Sequence, residues 1–269
     1  MAQSKPWALI TGASSGLGAE FSRQLAKKGY NLIIVARRED RLEALKEEIL
    51  KDYSIDIAVY GLDLSLVGSA LKCFQLATEN NRNISLLINN AGCGFYQRFH
   101  KSNLEDIRMV NSLNVATLTE LTHCFIPHML KHKIPSYVAN IASIAGHFPV
   151  PKYAIYSATK TYVQTFTQIL QSEYVGSNIS FTTISPGPTI SEFAERSGQQ
   201  PLTKPRFGVL ATAPVIEESL KALFNKNPSN IPGTLNKFIV AISKCIPSRT
   251  MAGLTQSAMR FKGKSQLSK

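Results

Sequence analysis

One stretch near the start of the sequence reads Trp7-Ala-Leu-Ile-Thr-Gly-Ala-Ser-Ser-Gly-Leu-Gly-Ala-Glu-Phe-Ser-Arg-Gln-Leu-Ala26. It begins with a short apolar run typical of a buried strand, continues through a glycine-rich turn, and ends with apolar residues at helical spacing. Glycines let the backbone approach a ligand closely, and a helix N-terminus offers unpaired N–H groups and a positive dipole end. The stretch therefore predicts a phosphate-binding loop made of Gly12, Ser14, Ser15, Gly16, Leu17 and Gly18. The alternative is a tight turn that binds nothing.

A second strand, 31–36, ends at Ala36 and leads into a charged helix that we expect to begin at Arg37. In dinucleotide-binding folds, the end of this strand meets the adenosine ribose, where an acidic residue would bind a free 2′-hydroxyl. Here Arg37 and Arg38 follow instead, and two cations favour a 2′-phosphate through charge-assisted hydrogen bonds. The sequence thus favours NADP(H) over NAD(H). The alternative is that both arginines belong to a solvated helix start.

Two further strands bring more residues to the same edge of the sheet. The third, 57–64, ends in Asp63 and Leu64, and the Asp63 carboxylate is suited to accept from an adenine amino group. The fourth, beginning at residue 85, breaks into Asn89-Asn90-Ala91-Gly92. The small residues there leave room for a cofactor across the strand ends, which makes Asn90, Ala91 and Gly92 candidate cofactor contacts. For Asn89 we expect a structural role between neighbouring strands.

Tyr156 and Lys160 stand four residues apart, with Ser143 thirteen residues before Tyr156. A spacing of four puts the phenol and the ammonium on one face of a helix. A neighbouring ammonium favours the phenolate, so we expect it to lower the pKa of Tyr156 from its ordinary value of about 10. The pair predicts a tuned acid/base, and the Ser143 hydroxyl could bind a substrate oxygen. The alternative is an ordinary solvated helix face.

In this order and spacing, the motifs resemble those of the classical short-chain dehydrogenase/reductase family. They are residues 11–18, Asp63-Leu64, residues 89–92, Asn114, Ser143, Tyr156-x-x-x-Lys160 and Pro186-Gly187. The segments around Asn114, Tyr156 and Pro186 are similar to those of 3-oxoacyl and 17β-hydroxysteroid-type reductases. The resemblance implies an α/β fold with a doubly wound, Rossmann-like parallel sheet.

The resemblance also implies roles for individual residues. Tyr156 would be the general acid in ketone reduction, Lys160 would bind the nicotinamide ribose, and Ser143 would bind the substrate oxygen. Asn114 would hold a water that links Lys160 to solvent, although a purely structural partner for its side chain is the alternative. Pro186, Gly187 and Thr189 would lie beside the nicotinamide carboxamide. Members commonly form dimers or tetramers through the helix that carries Tyr156. Such an interface is compatible with Tyr162, Val163, Phe166 and Ile169, although these residues could equally be ordinary core.

Length and composition limit the number of domains, the location of the protein and the kinds of site that we expect. The 269 residues suit one α/β domain, no apolar run is long enough to span a membrane, and no signal peptide is recognised, so we expect a cytoplasmic protein. The four cysteines and five histidines show no metal-ligand spacing, and we expect no metal. We place the catalytic domain at 1–233, with a polar substrate-covering segment at 192–208, and a basic amphipathic extension at 234–269.

The net charge of +12 is concentrated near the end of the chain, where nine cations and no acid follow Glu218. Within this part, residues 235–262 combine cations with apolar residues at helical spacing, which suits peripheral contact with an anionic membrane on the cytosolic face. The alternative is an extension packed on the domain. No nucleic-acid recognition motif accompanies the charge, so we expect no nucleic-acid partner.

The sequence therefore predicts an NADPH-dependent oxidoreductase that interconverts a ketone and a secondary alcohol on a small, apolar or lipid-like substrate. A protein of a different class, which binds NADP without catalysis and acts as a regulator or membrane-associated scaffold, is the alternative.

Overall fold

The computed structural model describes the backbone of residues 5–205 and 208–264, and the side chains as far as residue 257. The strands are β1 (Trp7–Thr11), β2 (Asn31–Ala36), β3 (Ile57–Gly61), β4 (Ile84–Asn89), β5 (Ser136–Ile141), β6 (Ile179–Ile184) and β7 (Ser229–Asn230). All neighbouring strands pair in parallel, in the order β3-β2-β1-β4-β5-β6-β7. The predicted doubly wound parallel sheet is confirmed.

Helices cover both faces of this sheet. They are α1 (Gly16–Lys27), α2 (Glu39–Asp52), α3 (Ser69–Thr78), α4 (Leu104–Asn111), α5 (Thr117–His132), α6 (Ala154–Glu173), α7 (Phe193–Arg196), α8 (Thr212–Phe224), α9 (Thr234–Ser243) and α10 (Ser248–Lys264). Between α4 and α5, residues Ser112–Ala116 form a π-helical turn. Such turns arise where one residue more than the α-helical repeat is accommodated, and they are frequent at functional sites.

The core has one layer on each face because successive strand residues point to opposite sides. In β1, Ala8 and Ile10 pack toward α1, α2 and α8, whereas Leu9 packs toward α3, α5 and α6. Every residue of β2 and β4 is buried, as expected of parallel strands covered on both faces. This rigid sheet fixes the positions of the loops at its carboxyl edge.

The strand order reverses between β1 and β4, and ligands of open α/β sheets bind outside the carboxyl ends of the strands at such a point. The predicted glycine loop follows β1, and the predicted Asn90–Gly92 segment follows β4. The fold therefore brings both segments to the expected binding crevice.

Two predicted element boundaries were wrong. Helix α2 begins at Glu39, and Arg38 is its N-cap, so neither arginine lies in a helical turn. Strand β3 ends at Gly61, and Asp63 lies in the following turn, where its carboxylate accepts hydrogen bonds from Ser65. Both differences move polar side chains out of regular structure and into the crevice.

Candidate functional site

One large cavity of about 1070 Å³ opens at the carboxyl edge of the sheet. It brings together all the predicted site residues except Gly18 and Asn114: Gly12, Ser14, Ser15, Gly16, Leu17, Arg37, Arg38, Asp63, Leu64, Asn90, Ala91, Gly92, Ser143, Tyr156, Lys160, Pro186, Gly187 and Thr189. A single volume therefore contains the phosphate-binding candidates and the acid/base candidates.

The glycine loop is shaped by close backbone packing. Gly12 and Gly16 have φ values of +68° and +55°, in the left-handed region that favours glycine. A Cβ on Gly12 would lie 2.9 Å from the Ala91 Cα. A Cβ on Gly18 would overlap the Gly12 carbonyl oxygen, so Gly18 is required for packing of α1 against the loop and does not itself line the cavity.

Asn90 braces this loop from the neighbouring strand. Its Nδ2 donates to the carbonyl oxygens of Thr11 at 2.8 Å and Gly12 at 3.3 Å. The Thr11 hydroxyl accepts in return from the backbone N–H groups of Asn90 and Ala91. Asn89 has the structural role predicted for it: its Nδ2 donates to Asn140 on β5 and to Thr122 on α5.

The two arginines after β2 have different neighbours. Arg38 Nη2 lies 3.2 Å from the Ser14 hydroxyl and 3.1 Å from the Ser15 hydroxyl, directly beside the glycine loop. Arg37 Nη1 lies 3.8 Å from Asp63 Oδ2, a loose ion pair. Arg38 is therefore better placed than Arg37 to reach an anion held by the loop.

Sequence reasoning did not identify the residue that the arginines surround. Glu192 lies between Arg38, Arg41 and Arg196, and its carboxylate pairs with all three. The pair with Arg196 is four residues apart, but no local pattern indicates the contact with Arg41, because Glu192 and Arg41 are 151 positions apart in the chain. Only the folded arrangement reveals it.

Lys160 lies on α6 and is only 4% exposed. Its Nζ donates to the Ile141 carbonyl at 2.7 Å, at the end of β5, and lies 5.7 Å from the centre of the Tyr156 ring. Burial lowers the pKa of Lys160 to about 8, because the charged form loses hydration. The ammonium therefore remains the main form at neutral pH, next to the phenol.

The expectation that Lys160 lowers the pKa of Tyr156 is not met. Burial raises the pKa of the Tyr156 phenol well above its ordinary range, and a hydrogen bond with Ser143 lowers it only in part. The ring packs between Tyr153 and Phe193, each with ring centres 5.2 Å away. Desolvation is the largest cause of the raised pKa, and the phenol keeps its proton at neutral pH.

Ser143 follows β5 and caps the short turn that comes next. Its Oγ accepts from the Ala145 N–H at 3.1 Å and lies 3.4 Å from the Pro186 carbonyl oxygen. These contacts hold the hydroxyl between Tyr156 and the Pro186-Gly187 turn. The three predicted residues Ser143, Tyr156 and Lys160 thus lie together at one end of the cavity.

Asn114 lies in the π-helical turn and is buried. Its Oδ1 accepts from the Cys93 N–H, and its Nδ2 donates to the Cys93 carbonyl and the Thr159 hydroxyl, at 2.9–3.0 Å. A Cβ on Gly92 would lie 3.1 Å from this Oδ1 and 3.4 Å from Lys160 Nζ. The side chain therefore has the structural partners of the alternative interpretation, while the turn adjoins Lys160 across Gly92. The water-holding role stays a prediction.

The C-terminal extension contributes to the cavity wall, which sequence reasoning missed. Asn236 of α9 packs directly on Gly187, and Ile239 of α9 and Met251 of α10 line the cavity. The Thr255 hydroxyl donates to the Pro149 carbonyl at 3.2 Å and holds α10 against the domain. The amphipathic pattern of this region was visible in the sequence, but the surface that its inner face covers was not.

The outer face of the extension has a different character. Phe238 and Ile242 are 61% and 41% exposed, next to the exposed cations Lys237 and Lys244. The predicted membrane segment 235–262 lies partly outside the described side chains, and 265–269 of the extension lie outside the described residues altogether. The division of the chain at 233 stays a prediction.

The substrate-covering segment contacts the acid/base end of the cavity. The Tyr153 hydroxyl lies 2.7 Å from the Ser197 hydroxyl, and the Tyr96 N–H donates to the Ser197 carbonyl at 2.8 Å. Residues 206–207 of this segment lie outside the described residues. The apolar lining at this end includes Phe148, Val150, Tyr153, Phe193, Leu202, Ile239, Met251 and Leu254.

The described part of the chain lacks two kinds of feature. It holds no group of three or more His, Cys, Asp or Glu side chains arranged as a metal site. No helix in it combines the length and the apolar character needed to cross a membrane.

Comparison with known proteins gives consistent matches. A family model described as short chain dehydrogenase matches residues 6–202. A very-long-chain 3-oxoacyl-CoA reductase of Caenorhabditis elegans is 34% identical over 185 residues, covering 67% of this chain and 58% of the relative. Sulfoacetaldehyde reductase 2 of Chromohalobacter salexigens is 32% identical over 186 residues, covering 69% and 73%.

A solved structure of a short-chain dehydrogenase from Sphingobium yanoikuyae in complex with NADPH superposes with a TM-score of 0.80 at 28% identity, covering 95% of both chains. The match spans about three fifths of the length of the nematode relatives, 58% of the reductase and 61% of a putative steroid dehydrogenase. The family model covers most of the chain and the structural match covers nearly all of it, and on this evidence the chain belongs to the short-chain dehydrogenase family.

Proposed function

We propose that the protein reduces a ketone to a secondary alcohol with NADPH, or catalyses the reverse reaction, on an apolar or lipid-like substrate. The observation that carries the proposal is the convergence of Ser143, Tyr156 and Lys160 on one cavity with the glycine loop and Arg38. The relatives support it, because they include a 3-oxoacyl-CoA reductase and a family member in complex with NADPH.

The cavity residues fit such a cofactor. The positions of Gly12 and Gly92 are crowded against Ala91 and Asn114, so side chains there would disturb the wall of the cofactor crevice. The loop and the N-terminus of α1 would hold the diphosphate, and Arg38 with Ser14 and Ser15 would hold the 2′-phosphate. Asp63 and Leu64 would meet the adenine.

The remaining predicted contacts surround the nicotinamide end. Asn90, Ala91 and Gly92 would flank the cofactor, Lys160 would bind its ribose, and Pro186, Gly187 and Thr189 would face its carboxamide. When bound, the reduced cofactor supplies the hydride.

Side chains of the protein then donate the proton to the substrate oxygen. As hydride adds to the carbonyl carbon, negative charge grows on the oxygen, and donors aimed at it stabilise the transition state. Tyr156 gives its phenolic proton to that oxygen and Ser143 donates a second hydrogen bond. The raised pKa of Tyr156 keeps the phenol protonated at neutral pH, so the form that can donate a proton is the one present. The Lys160 ammonium then stabilises the phenolate that remains.

The apolar wall near Tyr156 indicates the class of substrate. Its wall is formed by aromatic and aliphatic side chains from four separate regions, among them Phe148, Phe193, Ile239 and Met251. Such a wall favours a long apolar group by the hydrophobic effect. We therefore place 3-oxoacyl thioesters and steroid ketones first among candidate substrates.

A test uses NADPH deuterated at the nicotinamide C4 with a panel of short ketones, long-chain 3-oxoacyl thioesters and steroid ketones. Mass spectrometry should find deuterium on the carbinol carbon of the product, with the apolar ketones preferred. Tight NADPH binding without deuterium transfer to any ketone would instead favour the non-catalytic NADP-binding regulator or scaffold.

We also propose peripheral contact with a membrane on the cytosolic face. Phe238 and Ile242 lie one turn apart on α9, beside exposed Lys244 and beside Lys237, whose ammonium pairs with Glu218. An apolar stripe next to a cation suits an anionic lipid surface. Sedimentation with vesicles of phosphatidylserine and phosphatidylcholine should recover the wild type. The double variant Phe238→Ser, Ile242→Ser should stay in solution, and equal recovery of both proteins would contradict the contact.

The expected dimer or tetramer is likewise a proposal. Tyr162 and Ile169 are exposed on α6, whereas Val163 is fully buried in the core and is not available to a partner. Light scattering on the wild type and Ile169→Lys should show a smaller particle for the variant. An unchanged mass would place any interface elsewhere.

A further inference from the structure

A single carboxylate lies among three guanidinium groups at the adenosine end of the cavity. Glu192 Oε2 is 3.0 Å from Arg38 Nη1 and 3.3 Å from Arg196 Nε, and its Oε1 accepts from Arg41 Nη1. Partial burial alone would raise the pKa of Glu192, but the hydrogen bonds from Arg41 and Arg38 outweigh it and lower the pKa. The carboxylate is therefore charged at neutral pH.

This ion cluster connects two opposite walls of the cofactor crevice. Arg38 and Arg41 belong to the start of α2, whereas Glu192 directly precedes α7 in the segment that follows the Pro186-Gly187 turn. Beneath it, a Cβ on Gly16 would lie 3.0 Å from the Ser191 Cβ, so this segment crosses directly over the glycine loop. The ion cluster therefore joins the two walls where this segment crosses the loop.

The same arginine has a second set of contacts that point to a ligand. Arg38 Nη2 lies within 3.2 Å of the Ser14 and Ser15 hydroxyls, while its Nη1 pairs with Glu192. A guanidinium binds carboxylate and phosphate oxygens with the same planar fork, and hydroxyls at a helix N-terminus commonly complete a phosphate site. The Glu192 carboxylate thus occupies the side of Arg38 that is best suited to bind the phosphate of a ligand.

We propose that the Glu192 carboxylate and the 2′-phosphate of NADP(H) compete for Arg38, so that cofactor binding displaces Glu192 and frees the start of the 192–208 segment from α2. The inference rests on the proposed NADP(H) binding and adds an internal competitor to it. Two anions within a few ångströms repel each other, and the doubly charged phosphate is the stronger partner for the arginine. Glu192 is then a specificity-determining residue that weakens binding of the 2′-phosphate.

Isothermal titration calorimetry with cofactor fragments tests this competition without any catalysis. The fragments 2′,5′-ADP and 5′-AMP differ only by the 2′-phosphate. The variant Glu192→Gln keeps the size of the side chain and removes its charge, so it should bind 2′,5′-ADP about tenfold more tightly than the wild type. Binding of 5′-AMP should change by less than about twofold.

A matched control is Glu48→Gln, which removes a carboxylate that pairs with Arg23 away from the cavity. Its affinity for both fragments should equal that of the wild type. A second variant, Glu192→Ala, should shift 2′,5′-ADP binding in the same direction as Glu192→Gln. Circular dichroism melts establish that each variant is folded.

The outcomes separate the inference from the function on which it rests. If the wild type binds 2′,5′-ADP and Glu192→Gln binds it equally or more weakly, Glu192 is no competitor and the inference fails, while the cofactor assignment stands. If neither protein binds 2′,5′-ADP, both the inference and the NADP(H) assignment fail. If Glu192→Gln binds 2′,5′-ADP and 5′-AMP more tightly by the same factor, the inference also fails, because the competition would then not involve the 2′-phosphate.

Discussion

Lys160 gives the most quantitative prediction, because its ammonium is buried and its pKa is lowered to about 8 from an ordinary value of about 10.4. Between its folded and unfolded pKa values, a group whose folded pKa is lowered binds fewer protons in the native state than in the unfolded state. The stability that it contributes is fully present above the unfolded pKa and is lost as pH falls through the folded pKa. Two to three pKa units correspond to about 3 kcal/mol.

The perturbation is Lys160→Met, which keeps a flexible chain of similar length and removes the titrating group. Urea unfolding from pH 7 to 10.5 should show the free energy of unfolding of the wild type rising by about 3 kcal/mol relative to the variant. The lost hydrogen bond to Ile141 adds an offset that does not vary with pH. Comparing the two proteins cancels the contribution of Cys73, whose pKa burial raises to about 12.

Lys51→Met, on the exposed end of α2, is the control and should run parallel to the wild type. Parallel curves for the wild type and Lys160→Met would show that the pKa of Lys160 is not lowered in the folded protein. They would mean that the ammonium is as well solvated in the folded protein as in the unfolded chain.

Two further predictions concern packing and acid stability. Burial, with the charges of His132 and Lys131, lowers the pKa of His128, whose Nε2 accepts from the Ile84 N–H. The free energy of unfolding should therefore fall as pH drops below the ordinary histidine pKa of about 6.5, and less so in His128→Gln. A flat wild-type acid profile would contradict this role. Gly187→Ala should lower the free energy of unfolding by about 1–3 kcal/mol, because the new Cβ overlaps the Asn236 side chain, whereas Gly253→Ala enters open space and should be neutral or slightly stabilising. Equal melting temperatures for both alanine variants would show that Asn236 moves aside freely.

Local signals account for most of what the sequence predicted. The βα units and the glycine loop are contiguous patterns, so strand periodicity and turn chemistry placed Gly12 and Gly16 in the crevice. Tyr156 and Lys160 share one helix, so their proximity followed from helical geometry alone. The segments after β1 and β4 converge because parallel strands share a carboxyl edge.

Contacts between distant segments could not be predicted in this way. The pairing of Glu192 with Arg38 depends on where the segment after the Pro186-Gly187 turn crosses the sheet. The raised pKa of Tyr156 depends on Tyr153 and Phe193, which remove water from around the phenol. Desolvation is a property of the assembled site, and a charge-spacing argument from two residues omits it.

In the proposed mechanism Tyr156 donates the proton that completes ketone reduction, and comparing Tyr156→Phe with Tyr162→Phe measures this donation. Tyr162 lies on the same helix, but its hydroxyl contacts Thr119 at the surface, so the control removes an equivalent hydroxyl outside the cavity. With an accepted ketone, NADPH oxidation at saturating cofactor should fall by about 10²–10⁴-fold in Tyr156→Phe and by less than about twofold in Tyr162→Phe. Binding of 2′,5′-ADP should be unchanged in both variants. Ketone reduction at the wild-type rate by Tyr156→Phe would contradict the account.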